Sequence, residues 1–384
     1  MKYNTKIGEF CDTHDNWEEL LTAEPYCLKI KKNGPFVIFN YNMLCSDLSL
    51  PIVQEARGII FDADDWHSPV CHAFDKFFNY GEPNCANMHW DSVVVSEKID
   101  GSIMKLWFDG FGWNVSTNAN IFAIDAPCPD IRRHDYGELF WEGIDKHLSP
   151  AYIARSNWLS SLNKEFTYIF EMVSPYTRVV IPYEETDVYF LGARHNLTGQ
   201  EFGCDADTAM MLCCGIFPRP KLYPMQTLIQ VTAAANTLPW DAEGYVCYDK
   251  YFNRCKIKSP KYVMAHYARN NNVVTKWHII NVILKGERDE FLVYCSDYSN
   301  NLIEVEKQMD RFKDLMDNMG KMARTIRHLD KKEFAKIVTK LPKLVQPIMF
   351  FNYDRDVSAE EYMSKWDAYQ WERALEQYDN YLGK

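Results

Sequence analysis

Gly244-Tyr245-Val246-Cys247-Tyr248 and Arg254-Cys255-Lys256-Ile257-Lys258 are two strand-type runs separated only by the polar stretch Asp249–Asn253. A gap this short joins antiparallel partners, because a parallel crossover takes a dozen residues or more. The same texture, short β-rich runs bounded by Gly, Pro, Asn and Asp, fills the chain to about residue 260. Phe36–Tyr41, Gly58–Asp62, Ser92–Ser96 and Thr167–Glu171 read as further strands, and a hairpin from Ile103 to Thr117 turns near Asp109-Gly110. Strands so closely spaced predict antiparallel sheets with some helices, an α+β domain.

Beyond residue 260 the pattern changes. Asn270-Asn271-Asn272 is a polar interruption that suits a boundary, giving an expected first domain over 1–268 and a second over 275–384. Leu302, Val305, Met309, Phe312, Met316, Met319, Ala323 and Ile326 alternate three and four apart, which predicts a long amphipathic helix within an all-helical domain. Asn301 with Glu304 resembles its cap, Asp330 with Glu333 the start of a second helix limited by Pro342, and Ser358 with Glu361 the start of a third ending before Gly383.

With 384 residues the chain is long enough for two domains. The apolar run Trp277–Leu284 falls far short of the roughly 20 residues of a membrane span, and Met1-Lys2-Tyr3-Asn4 opens no signal peptide. A cytoplasmic protein with no membrane partner is expected, in the host cytoplasm if phage-encoded. The twelve cysteines include no C-x-x-C pair, so they read as reduced thiols and mostly small buried hydrophobes. The net charge of −11 argues against a surface coated for nucleic acid. It is unevenly spread. Residues 1–260 hold 22 Lys and Arg against 34 Asp and Glu, whereas 261–384 hold 20 against 19.

Lys98-Ile99-Asp100-Gly101-Ser102 follows directly on an apolar strand. A K-x-D-G match alone occurs by chance in about one chain in ten of this length and would be a surface turn. Three further segments alter that reading: Phe170-Glu171, Glu243-Gly244-Tyr245-Val246 and Lys256-Ile257-Lys258. Strand alternation aims Lys256 and Lys258 at one face. Two carboxylates and three lysines on β-elements are what nucleotidyl transfer through a lysine requires. At a pKa near 10.4 only about 0.04% of a lysine amine is neutral at pH 7, so the nucleophile needs neighbouring cations to lower it. The carboxylates can hold magnesium, directly or through its waters.

These residues resemble the covalent nucleotidyltransferase superfamily, and within it the RNA ligase 1 family of T-even-type bacteriophages. Ala56-Arg57-Gly58-Ile59-Ile60-Phe61, Lys76-Phe77-Phe78-Asn79, Glu171-Met172-Val173-Ser174-Pro175 and Arg178-Val179-Val180-Ile181 carry the narrower likeness, with Glu243–Val246 and Lys256–Ser259. The resemblance spans roughly Ile38 to His266. It implies an antiparallel-sheet, ATP-grasp-like ligase domain, in which Lys98 takes AMP from ATP. By the same likeness Glu171 and Glu243 serve the ribose and a hydrated Mg2+ or Mn2+, and Lys256 and Lys258 contact phosphates. Asp100 assists the later steps, Arg57 and Lys76 orient the triphosphate, Tyr41 belongs to the nucleotide site, and Gly101 lets the backbone pass close to the nucleotide.

The implied activity is ATP-dependent joining of RNA 5′-phosphate and 3′-hydroxyl ends, with cleaved tRNA as a candidate substrate and the helical domain as the specificity element. One segment departs from the pattern. Related ligases usually carry a lysine after the hairpin, whereas this chain reads Ser116-Thr117-Asn118-Ala119-Asn120, and Lys105 is a candidate substitute. Asn118 can hydrogen-bond a phosphate or ribose of the RNA end but brings no charge. Arg324 and Arg327 are further RNA-binding candidates, in a run from Arg311 to Lys343 with ten Lys and Arg against four acids. Two other readings compete: a catalytically silent RNA-binding adaptor on the same fold, and another lysine nucleotidyltransferase, a DNA ligase or capping enzyme. The sequence says nothing of oligomeric state.

Overall fold

The computed structural model describes residues 5–128, 134–267 and 274–383; the boundary expected at Asn270–Asn272 lies outside them. The chain divides into two compact units, Met1–His266 and Tyr267–Lys384. In the first unit the strands are β1 (Lys29–Asn33), β2 (Phe36–Asn40), β3 (Arg57–Asp62) and β4 (Phe78–Asn79). They continue with β5 (Val94–Glu97), β6 (Ser102–Phe108), β7 (Trp113–Ser116), β8 (Phe166–Val173) and β9 (Asp187–His195). The last are β10 (Glu201–Phe202), β11 (Leu222–Tyr223), β12 (Gly244–Tyr248) and β13 (Arg254–Lys258). They form a sheet β1-β2-β3 and two five-stranded sheets, β10-β9-β8-β6-β7 and β11-β5-β12-β13-β4. Every pairing is antiparallel except β13 with β4.

Alternation explains which face each strand buries. Met104, Leu106, Phe170 and Met172 enter one core with Phe140 and Ile144 of the helix Tyr136–Leu148. Val95, Tyr245, Cys247, Cys255 and Ile257 enter another with Val231 and Ala235 of the helix Leu228–Thr237. The residues between them in sequence, among them Ile103, Glu171, Val246, Lys256 and Lys258, are left for a cavity between the two five-stranded sheets. The run expected as a strand over Ser92–Ser96 is a 3-10 turn at Trp90–Ser92, and the strand begins at Val94. All twelve cysteines are free, eight of them buried.

The second unit is helical. Ser299–Ile326 is one helix whose buried face carries Leu302, Val305, Met309, Phe312, Met316 and Ala323, while Met319 and Ile326 are half-buried. Phe312 packs on Trp371 and Tyr378 of the helix Ala368–Tyr381, with ring centroids 5.9 and 5.7 Å away. Asn301 does not cap the long helix, which starts two residues earlier with Tyr298 at its N-cap. Asp330 does cap, accepting from the N–H groups of Lys332 and Glu333. The expected third helix is two, Ala359–Met363 and Ala368–Tyr381. The second of these starts afresh at Asp367, whose side chain accepts from the Gln370 N–H while the Gln370 side chain accepts from the Asp367 N–H. Among the described residues no helix is long and apolar enough to cross a membrane.

Candidate active site

The cavity between the two large sheets has a volume of about 610 Å3. That is nucleotide-sized. Arg57, Lys76, Lys98, Gly101, Asn118, Glu171, Lys256 and Lys258 all line it. Lys98 follows β5 and is anchored by its own N–H, which donates to the Gly244 carbonyl at 2.9 Å. The Lys98 Nζ donates to Glu243 Oε2 at 2.8 Å, and Lys258 Nζ lies 3.3 Å from Glu243 Oε1. A single carboxylate, only 4% exposed, therefore bridges two ammonium groups that alternation and sheet pairing brought from different strands. Glu171 sits on β8, where burial pushes its carboxyl up to about 7. The Lys98 charge opposes that shift and the Glu243 charge adds to it.

On the same cavity wall Arg57 opens β3, its charge also opposing the Glu171 shift, its guanidinium donating to the Asp75 carbonyl at 3.3 Å and lying 5.0 Å from the Phe77 ring. Lys76 Nζ lies 5.4 Å from the Tyr41 ring and 5.3 Å from that of Phe78. Tyr41 is not among the lining residues. It packs against the core of the first sheet and reaches the cavity only through Lys76. Gly101 lines the cavity, and a Cβ there would also collide with the Met172 carbonyl oxygen of the neighbouring strand.

Asp100 is also placed otherwise. It is 4% exposed and off the cavity wall. Its Oδ2 accepts from the N–H groups of Val180 and Ile181 at 3.0 and 2.8 Å, and its Oδ1 from the Tyr262 hydroxyl at 2.7 Å. It clasps three segments rather than facing a ligand. Arg324 and Arg327 lie in the second unit, where Arg324 is engaged by Asp356 and Arg327 is exposed. Asp354 and Asp356 come from outside the basic run and pair with Lys331 and Arg324, so that face is less positive than the run alone suggests.

Sequence reasoning passed over Tyr248 and Arg254, which also line the cavity. Arg254 stacks its guanidinium 4.0 Å from the Phe74 ring and pairs with Glu201. The period-two pattern Arg254, Lys256, Lys258 was the available signal.

Among the described residues there is no group of three or more His, Cys, Asp or Glu able to hold a metal ion. A hard cation that keeps its waters needs only one or two carboxylates plus phosphate oxygens; Glu171 on the cavity wall meets that condition, whereas Glu243 is not among the lining residues and both its oxygens are engaged by Lys98 and Lys258.

The family described as RNA ligase, T4 type 1, matches residues 55–262. A candidate bifunctional polynucleotide kinase/RNA ligase of Autographa californica nuclear polyhedrosis virus is 28% identical over 289 residues, 70% of this chain and 39% of the viral protein. An RNA ligase of Rhodothermus phage RM378 is 30% identical over 191 residues, 43% of this chain and 42% of its own. The chain thus spans about two-fifths of the length of these two relatives. An archaeal ATP-dependent RNA ligase superposes with a TM-score of 0.47 at 15% identity, covering 78% of this chain and 76% of its own.

Proposed function

The chain belongs to the RNA ligase family of T4 type 1, and on that premise we propose that it is an ATP-dependent RNA ligase acting through a lysyl-adenylate at Lys98. The observation that carries this reading is the Lys98 amine on the wall of a nucleotide-sized cavity, bridged through Glu243 to Lys258, with Arg57, Lys76 and Lys256 lining the same space.

In the first step the neutral Lys98 amine attacks the α-phosphorus of ATP. A P–N bond forms, the bond to the pyrophosphate oxygen breaks, and pyrophosphate leaves; Glu243 Oε2, 2.8 Å from Nζ, is an acceptor within reach of the departing proton. Arg57 and Lys76 hold the leaving phosphates, while Lys256 and Lys258 stabilise charge on the transferring one. A divalent ion held by Glu171, Mg2+ or Mn2+, would neutralise phosphate oxygens and fix their geometry. An RNA 5′-phosphate oxygen then displaces Lys98 from the adenylyl phosphorus, and a 3′-hydroxyl attacks the activated 5′-phosphate with release of AMP. The substrate is RNA with those two ends, cleaved tRNA being the candidate, docked in part on the basic helices of the second unit by phosphate contacts.

Incubation with α-labelled ATP and a denaturing gel tests the reading. The wild-type chain should retain label. Lys98→Ala and Lys98→Arg should retain none, because guanidinium stays protonated and cannot attack. Label kept by either variant at a normal rate would remove Lys98 from its role. Charge reversal at Arg327 and Lys332, both exposed, should raise the RNA concentration needed for sealing and flatten its salt dependence without touching self-adenylation. An unchanged salt slope would return these helices to a structural role.

A further inference from the structure

Lys105 is a buried cation that the mechanism above leaves unused. It lies on β6, fully buried, with Ser116 of β7 and Ile169 of β8 opposite it. Its Nζ donates to the Gly58 carbonyl. A Cβ built on Gly58 would meet that Nζ and would stand 2.7 Å from Asn118 Cα and 2.9 Å from the Asn118 carbonyl oxygen. Lys105, Gly58 and Asn118 therefore meet at one point, directly behind the wall that Arg57 and Asn118 present to the cavity.

Among the described residues nothing anionic balances this charge. The titratable groups that face it are Arg57 of β3 and Cys71 and His72 of the segment after β3. Arg57 is a like charge. Burial pushes the Cys71 thiol up, and burial pulls His72 down to about 4, with Arg194 adding to the effect, so both are neutral at pH 7. Asp75, the nearby acid that could have served, is paired with Arg194. Among the described residues no carboxylate lies within ion-pair distance of Lys105. A cation buried without a counter-charge weakens the fold. On the same wall, Asn118 Oδ1 is buried with no hydrogen-bond partner among the described residues. A lone buried acceptor is costly as well.

We propose that Gly58, Lys105 and Asn118 form a phosphate subsite in which Lys105 supplies, from behind the wall, the positive charge that residue 118 does not carry, and that its ligand is the polyphosphate of the nucleotide. This rests on the adenylation reading. Lys105 touches no ligand atom in this arrangement; it is a positioning residue acting through the field it sets at the stretch of wall that Arg57 and Asn118 present. Asn118 faces the phosphates with a carboxamide that can donate through Nδ2 while its oxygen turns to the buried side. Burial brings the Lys105 ammonium down to about 8, so the subsite is charged at neutral pH and discharges just above it.

The test uses the full-length chain and inorganic pyrophosphate as probe, with affinity measured by calorimetry and apoprotein stability by thermal unfolding. Lys105→Met should weaken pyrophosphate binding and raise the KM for ATP by about tenfold or more, the order expected of one charge pair about 10 Å apart at an effective dielectric of about 20. AMP, which lacks those phosphates, should lose less. Thermal stability of the apoprotein should hold or rise, since an unbalanced buried charge has gone. Wild-type affinity should fall as pH rises through about 8, a step absent in Lys105→Met. Lys105→Gln keeps a donor for the Gly58 carbonyl without the charge and should bind as weakly as the methionine variant. Lys105→Met combined with Asn118→Lys should regain affinity by bringing the charge from the front. Normal pyrophosphate affinity in Lys105→Gln would overturn the proposal, as would a destabilised Lys105→Met with intact affinity. A wild-type chain that captures no label from ATP would instead defeat the adenylation reading itself.

Discussion

Replacing Asp100 removes one carboxylate that ties its own segment to Val180, Ile181 and Tyr262. In Asp100→Ala the Val180 and Ile181 N–H groups and the Tyr262 hydroxyl lose their shared acceptor in a place that is 4% exposed. Each buried donor left unsatisfied costs about 1–3 kcal/mol, so three of them, partly relieved by relaxation, cost about 4 kcal/mol. For a unit of this size roughly 2–4 °C of Tm goes with each kcal/mol, so the first unit should melt about 8–16 °C lower. Tyr262→Phe removes one hydrogen bond to the carboxylate, about 1.5 kcal/mol, and should lower Tm by about 3–6 °C. Asp100→Asn keeps an oxygen for the two backbone donors, and its amide can donate to a rotated Tyr262 hydroxyl, so it should fall between wild type and Tyr262→Phe. Self-adenylation, followed with labelled ATP alongside calorimetric unfolding, should decline in that same order, because the clasp holds the segment two residues from Lys98. An Asp100→Asn protein with native Tm but no more adduct than Asp100→Ala would refute the clasp and return Asp100 to direct chemistry.

Two other outcomes follow from the cavity. Glu171 is raised to about 7 in the folded chain against 4.5 in the unfolded one, so the unfolded state loses its proton first and stability falls as pH rises between those values. Glu171→Gln should therefore stabilise the metal-free protein by about 3 kcal/mol at pH 8 and by nothing below pH 4.5 in denaturant unfolding; an equal gain at both would mean the carboxyl is not desolvated. Gly101→Ala drives a methyl group into the Met172 carbonyl and should cost about 2–3 kcal/mol with slower adduct formation even at saturating ATP, whereas a fault confined to KM would point to nucleotide contact instead.

The parts legible in the sequence are those governed by local periodicity. The hairpin β12–β13 pairs Gly244 with Lys258 and Tyr248 with Arg254 as its spacing demands, and the inward lysines follow from the alternation with Cys255 and Ile257. The helix Ser299–Ile326 follows from its apolar stripe. Its first residue did not, because Ser299, Asn300 and Asn301 are all capping types, yet the N-cap position falls on Tyr298, with no side-chain cap bond to mark it. The break at Asp367 was legible in Asp367-x-x-Gln370, but a run of helix formers masked it. Long-range partnerships were beyond reach. Asp100 finds its acceptor duties 80, 81 and 162 residues away, and the two residues of β4 join β13 across most of the unit. No periodicity encodes such pairings, so the motif around Asp100 could not show that its carboxylate accepts from three buried donors.

Net charge misled in a related way. A balance of −11 speaks for the whole surface. It says little about a cavity whose walls carry Arg57, Lys76, Lys98, Arg254, Lys256 and Lys258 against Glu97 and Glu171. These cations share one confined space and repel one another across it. Glu243 relieves Lys98 and Lys258, and Glu201 relieves Arg254. Lys105 adds a further charge behind the wall with no such relief. The fold therefore holds these cations together at a cost that an anion of several charges offsets on binding. An anion bound there is attracted by the same cations that repel one another, so variants that remove a wall cation should relax the fold and weaken phosphate binding together.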